Sequence, residues 1–177
     1  MAVMKDGSMN RSEQQRVFDE WLDRHRGLLF KVVRAHASTP QDRDDLFQEI
    51  AAQVWQSIPA FRAESAVTTW IYRVALHCAM AWARRERRHR AGRQALDEHR
   101  PALLETTAGR DRRLDWLYDQ IAQLGDIDRA LTLLLLDGFS YQEMAATLGL
   151  SESHVGVKIH RIKHHLARRS REAAHGI

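Results

Sequence analysis

The chain has 177 residues, 28% charged and 44% hydrophobic, with a formal net charge of +4 and ten histidines. These proportions exclude a membrane-embedded protein, allow one or two modest cores, and leave apolar runs far short of the ~20 residues a membrane span needs. A single cysteine, Cys78, excludes an internal disulfide framework and a cysteine-based zinc site and fits a reducing cytosol, while only nine Gly and three Pro point to a mainly helical chain.

The N-terminal MAVMKDGSMN has no apolar signal-peptide core, so a cytoplasmic protein without direct membrane insertion is expected. Phe18, Trp21, Leu22, His25, Leu28, Leu29, Val32 and Val33 recur at helical spacing and predict a first amphipathic helix over about 12–36. Ser38-Thr39-Pro40 reads as a turn, with Pro40 in a first helical turn and Asp42, Asp44 and Asp45 favouring a helix N-terminus. Leu46, Ile50, Val54 and Ile58, four residues apart, mark a second helix that stops before Pro59. Residues 60–68 read as a loop, and a third helix is expected over Thr69 to Arg88, with Trp70, Val74, His77, Cys78 and Ala81 on its inner face. Residues 89–111 lose periodicity and hold Gly92, Pro101 and Gly109; they read as a linker with a short helical stretch near 93–99.

Leu114, Leu117, Ile121 and Leu124 open a second helical unit, residues 127–137 its next helix, and Gly138 suits the position just past that helix. Ser140 and Glu143 form a capping box that starts a short helix ending at Gly149. Leu150 supplies the apolar residue of a turn, and Ser151 caps the next helix, whose buried face is Val155, Ile159, Ile162 and Leu166. The opposite face carries Ser153, Val157, His160, Arg161 and His164, with Lys158 and Lys163 flanking. Two capped helices across a tight turn, the second basic, describe a helix-turn-helix, and that outward face suits a DNA major groove. Arg161 is placed for a phosphate or guanine edge, Val157 for a thymine methyl, and Gly156 for close backbone approach. The predicted architecture is thus all-α: two small helical domains (12–88 and 112–170) joined by a flexible linker (89–111), the second a helix-turn-helix.

Charge is unevenly spread: residues 42–49 carry a local −3, residues 84–93 a local +5 and residues 158–171 a local +6. Solvated helix faces are the plain alternative for any one run. Together they suit two contacts with a polyanion and one with a basic protein. In the third helix Trp70, Tyr72 and Trp82 accompany an Arg-rich end, the mixture that builds stacking platforms for unpaired bases. The short polar loop Phe61-Arg62-Ala63-Glu64-Ser65 before it suits an extruded base. The residues therefore describe a protein that handles both duplex and melted DNA.

The motif Asp44-Asp45-Leu46-Phe47-Gln48-Glu49 with Val54-Trp55 resembles the DDLxQExxxxxW signature of bacterial sigma factors, and Thr68-Thr69-Trp70-Ile71-Tyr72-Arg73-Val74-Ala75 resembles their TWLYRIA stretch. Tyr141 to Leu166 resembles their C-terminal helix-turn-helix, and the order and length resemble the small extracytoplasmic-function (ECF) group. The resemblance implies an initiation factor that binds RNA polymerase core, with Asp45, Gln48, Glu49 and Trp55 on the clamp helices of the largest subunit. It implies −10 promoter contacts by Phe61, Arg62, Ser65 and Trp70 around a flipped base, with Arg73, Arg84, Arg85, Arg87 and Arg88 on the backbone. It implies −35 contacts by Ser153, His154, Gly156, Val157, Lys158, His160 and Arg161. Promoter DNA and an anti-sigma protein are the other implied partners; no cofactor, metal, small-molecule substrate or catalytic residue is expected. Two departures stand out. His77-Cys78 occupies the region where the family usually has an Asn, and His154-Val155-Gly156-Val157-Lys158 replaces the common Thr-Val-Arg-Ser-Arg, so the usual −35 sequence is not assumed. His160 and His164 have the spacing of two metal ligands, but no carboxylate or cysteine adjoins them in sequence, and exposed polar rings are the expectation.

The competing function is a stand-alone helix-turn-helix transcription regulator that dimerises through residues 14–88, which leaves the acidic second helix and the aromatic-Arg third helix unexplained. An enzyme lacks support: the sequence offers no Gly-rich phosphate loop, no Cys/His metal set and no nucleophile–base pair.

Overall fold

A computed structural model describes residues 9–94 and 112–175. The chain divides into two compact units at Ala108–Gly109, and the described residues form seven α-helices and one 3₁₀ turn.

In the first unit α1 spans Arg11–His36, α2 Pro40–Ser57, a 3₁₀ turn Ile58–Ala60, and α3 Val67–Gln94. Helix α1 starts in a capping box: Asn10 Oδ1 accepts from the Glu13 N–H at 2.8 Å, and the Asn10 N–H donates to Glu13 Oε2 at 3.2 Å. This satisfies two donors that a helix N-terminus leaves over. Helix α2 begins as its sequence dictates, with Thr39 Oγ1 accepting from the Asp42 N–H at 3.1 Å and Pro40 at the first helical position. Arg43 Nε reaches back to the Ala37 carbonyl at 3.2 Å and pins the turn between α1 and α2.

Helices α1, α2 and α3 pack on one another. Leu46, Ile50, Val54 and Ile58 are all buried, as their spacing predicts, against Leu29, Val32 and Val33 of α1 and the α3 core. Each such side chain contributes roughly 1.5–3 kcal/mol through burial.

Helix α3 departs from expectation in two ways. It starts at Val67 and runs to Gln94, so it takes up the first six residues assigned to the linker and carries Gly92 within it. The Arg- and Ala-rich composition there favours helix strongly enough to absorb one glycine. The rest of that linker, with Pro101, Gly109 and the remainder of the 93–99 stretch, lies outside the described residues. Its inner face is also shifted: Ile71, Tyr72, Ala75, Leu76, Ala79 and Ala83 are buried, while His77 is exposed and Trp70, Val74 and Ala81 are half-buried. Of the expected stripe only Cys78 is buried.

In the second unit α4 spans Arg112–Ala122, α5 Asp126–Leu136, α6 Tyr141–Leu148 and α7 Glu152–His175. Helix α7 therefore runs past residue 170, the expected end of the second domain. Helix α5 ends in a Schellman motif: Gly138 takes φ +79°, its N–H bonds to the Leu135 carbonyl, and the Phe139 N–H bonds to the Leu134 carbonyl. Buried Arg129 donates from Nη2 to the carbonyls of Ala122 at 2.6 Å and Leu124 at 3.1 Å, which satisfies the C-terminal end of α4. The core joins Ile121, Leu131, Leu134, Met144, Val155, Ile159 and Ile162. Among the described residues, no helix is long and apolar enough to cross a membrane.

Candidate nucleic-acid interface

Local hydrogen bonds cap both helices of the α6–α7 hairpin. Ser140 Oγ accepts from the Glu143 N–H at 3.3 Å, and Glu143 Oε2 accepts from the Ser140 N–H at 2.8 Å. The Ser140 hydroxyl and N–H hold the Glu143 carboxyl below its ordinary pKa. Gly149 turns the chain with φ +68°, and Ser151 Oγ then accepts from the His154 N–H at 3.3 Å to open α7. Val155, Ile159 and Ile162 anchor α7 to the core, which leaves Ser153, His154, Val157, His160 and Arg161 exposed together; Val157 is 51% exposed. A ridge of hydroxyl, imidazole and guanidinium groups around an apolar side chain offers the kinds of contact that base edges accept.

Two expected members of that ridge are engaged elsewhere. Lys158 is half-buried, its Nζ 2.8 Å from Asp128 Oδ1 of α5, so it ties α7 to the core. Gly156 is half-covered because the Tyr141 ring lies beside it; a methyl group there would sit 3.7 Å from that ring. Tyr141, itself 38% exposed, stands at the first turn of α6 next to the ridge, a neighbour sequence spacing did not disclose. Arg169 leaves the basic run too, with Nε donating to Gln120 Oε1 at 3.0 Å.

The first unit presents a second basic surface. On α3, Arg73, His77, Arg84 and Arg88 fall within about 60° of one another around the helix axis. His77 has its pKa lowered by partial burial and then by Arg73 and Arg84. Arg85 points elsewhere: its Nη2 lies 2.7 Å from Glu49 Oε1 and 2.5 Å from Oε2. Glu49 and Arg85, assigned separately to a protein and a DNA contact, thus hold α2 and α3 together. Cys78 joins them: burial, then the charge of Glu49 and a thiol hydrogen bond to it, push the thiol pKa up to about 12, against an opposing effect of Arg85.

Trp70 at the start of α3, Phe61 before it and Trp21 of α1 form a cluster rather than an open platform. Phe61 packs edge-on against Trp21 at 5.2 Å and against Trp70 at 5.6 Å, and Trp70 Nε1 donates to Ser57 Oγ at 3.0 Å. Tyr72 is fully buried and belongs to the core, because it falls on the face of α3 that meets α1 and α2. Arg62 and Glu64 are exposed and Ser65 half-buried; between them Ala63 takes φ 57°, a left-handed conformation that costs a non-glycine residue about 1 kcal/mol. The ring cluster ties Phe61, the first residue of the loop, to Trp21 of α1 and Trp70 of α3.

On α2, Asp44, Asp45 and Gln48 are exposed, while Trp55 packs edge-on against Phe18 at 5.4 Å. Beside them Phe30, 46% exposed, stacks on Phe47 at 5.3 Å with the Arg26 guanidinium above it. This aromatic pair escaped the sequence reading because its partners lie on different helices.

Residues 21–89 match the family model of sigma-70 region 2, and residues 114–166 match that of sigma-70 region 4. The ECF RNA polymerase sigma factor SigM of Mycobacterium tuberculosis is 27% identical over 157 residues, 85% of this chain and 76% of the relative. SigX of Bacillus subtilis is 29% identical over 141 residues, 75% of this chain and 71% of its own. The ECF sigma-E factor of Escherichia coli is 27% identical over 161 residues, 84% of each. The fold is similar to that of the sigma factor RpoE of Bartonella quintana, solved in complex with the anti-sigma factor NepR, with a TM-score of 0.70, 18% identity and coverage of 86% of this chain and 96% of that one. CnrH, solved with the cytosolic domain of CnrY, gives a TM-score of 0.65 at 22% identity over 91% of this chain and 92% of its own. With both regions matched in order over more than half of its length, the chain belongs to the ECF sigma factors of bacterial RNA polymerase.

Proposed function

We propose that this chain binds RNA polymerase core in the cytoplasm and directs initiation at a particular set of promoters, reading the −35 element as duplex with α7 and engaging the −10 element with the loop before α3. The observation that carries the reading is the capped hairpin of α6 and α7, which exposes Ser153, His154, Val157, His160 and Arg161 as one ridge. Arg73, Arg84 and Arg88 supply a second phosphate-binding face, and the ring cluster of Trp21, Phe61 and Trp70 supports a loop that receives an unpaired base. Asp45 and Gln48 form the surface for the polymerase clamp, where an exposed carboxylate suits a basic partner. The chemistry of RNA synthesis belongs to the polymerase. An anti-sigma protein is the expected regulator, since the sigma factor RpoE of similar fold is seen in complex with the anti-sigma factor NepR.

Co-elution with purified core polymerase, followed by permanganate footprinting of the resulting complex on promoter DNA, tests the reading. Reactive thymines at the −10 element that require both proteins support it. Tight duplex binding by the chain alone, with no affinity for core, favours the dimeric regulator instead.

A further inference from the structure

We infer that His160 and His164 form a two-imidazole site for a first-row divalent transition metal ion on the outward face of α7. The two residues are one helical turn apart, and their rings meet with centroids 4.4 Å apart and the two Nε2 atoms at 3.2 Å. Two nitrogen ligands, each ~2.0–2.1 Å from the ion, lie about 2.9 Å apart in cis positions of an octahedral or square-planar ion and about 3.3–3.4 Å apart on a tetrahedral one. The existing separation falls between these and needs to change by only a few tenths of an ångström. Both rings are exposed, so an ion enters without any rearrangement of the core.

Donor chemistry selects the class of ion. Neutral imidazoles favour Ni2+, Cu2+ and Zn2+, whereas Mg2+ and Ca2+ require oxygen ligands. Among the described residues, no third His, Cys, Asp or Glu completes a cluster here. The remaining positions on the ion are left to water, as in open rather than structural sites. The neighbouring cationic side chains of Arg161 and Lys163 oppose the added charge and keep this a reversible, modest-affinity site.

The site stands on the geometry of α7 alone and does not depend on what the chain does at a promoter. Its test is a calorimetric titration of the tag-free, full-length chain with NiCl2. One saturable ion per chain is expected, with His160→Ala and His164→Ala each weakening binding about tenfold or more, because one imidazole then holds the ion alone. His165→Ala, which leaves the pair intact, should bind as the parent does. Because the ion binds only the folded pair, NiCl2 should also raise the melting temperature of the parent and not of either single variant. Absence of saturable binding, or binding that both single variants retain, overturns the inference.

Discussion

Replacing Gly156 by Ala tests how completely α7 is determined by its own packing. Glycine inside a helix costs about 1 kcal/mol relative to alanine, because the unfolded chain has more backbone freedom to lose. Nothing at this position offsets that cost: an added methyl would meet only the Tyr141 ring, at 3.7 and 3.9 Å, which is ordinary van der Waals contact. Gly156→Ala should therefore stabilise the second unit by about 1 kcal/mol. For a unit of this size that corresponds to a rise of about 4–8 °C in its melting temperature. Amide hydrogen exchange resolves the effect within the unit: the most protected amides of α5 and α7 should exchange about fivefold more slowly, with those of α1 to α3 unchanged. A lower melting temperature, or faster exchange in α7, would refute the reasoning, since it would mean that the Tyr141 ring cannot accept the methyl group.

Arg161→Ala should cost about 1–3 kcal/mol in −35 duplex affinity and relax base preference at one position, measured by competition binding over single-base variants; unchanged affinity and preference would remove Arg161 from the interface. Asp45→Arg with Gln48→Arg should weaken core polymerase binding while leaving isolated −35 duplex binding intact, in paired pull-down and mobility-shift assays. Cys78 should resist iodoacetamide at pH 8 in the folded protein and react on unfolding, because its thiol pKa is pushed up to about 12. The same shift fixes a sign: the unfolded thiol ionises first, so stability from this group is intact below the unfolded pKa and is lost as pH rises from there toward about 12. Ser140→Ala should destabilise the second unit by about 1 kcal/mol in chemical denaturation, through loss of the α6 cap.

Local signals carried far in this chain. The four-residue spacing of Leu46, Ile50, Val54 and Ile58 identified a buried stripe without reference to anything else. The Ser140 capping box and Gly138 marked helix ends by chemistry confined to a few residues. What sequence spacing missed depends on residues far apart in the chain. Glu49 and Arg85 are 36 positions apart, and Lys158 and Asp128 are 30. Each looked like an available charge until the helices were packed. The inner face of α3 was misjudged for a related reason. Alanine occurs on several sides of that helix, so periodicity could not decide between two adjacent stripes, and contact with α1 and α2 selected the one containing Tyr72. Arg129 shows the same dependence: a charged residue in an apolar helix became buried because the carbonyls ending α4 needed a donor.

Run-off transcription tests the central claim most directly. Purified bacterial core polymerase, with and without this chain, would be offered a library of promoter fragments. Discrete start sites that appear only with the chain, and that share two conserved elements at −10 and −35, are the predicted result. Absence of any new start site from core polymerase that has bound the chain would contradict the account.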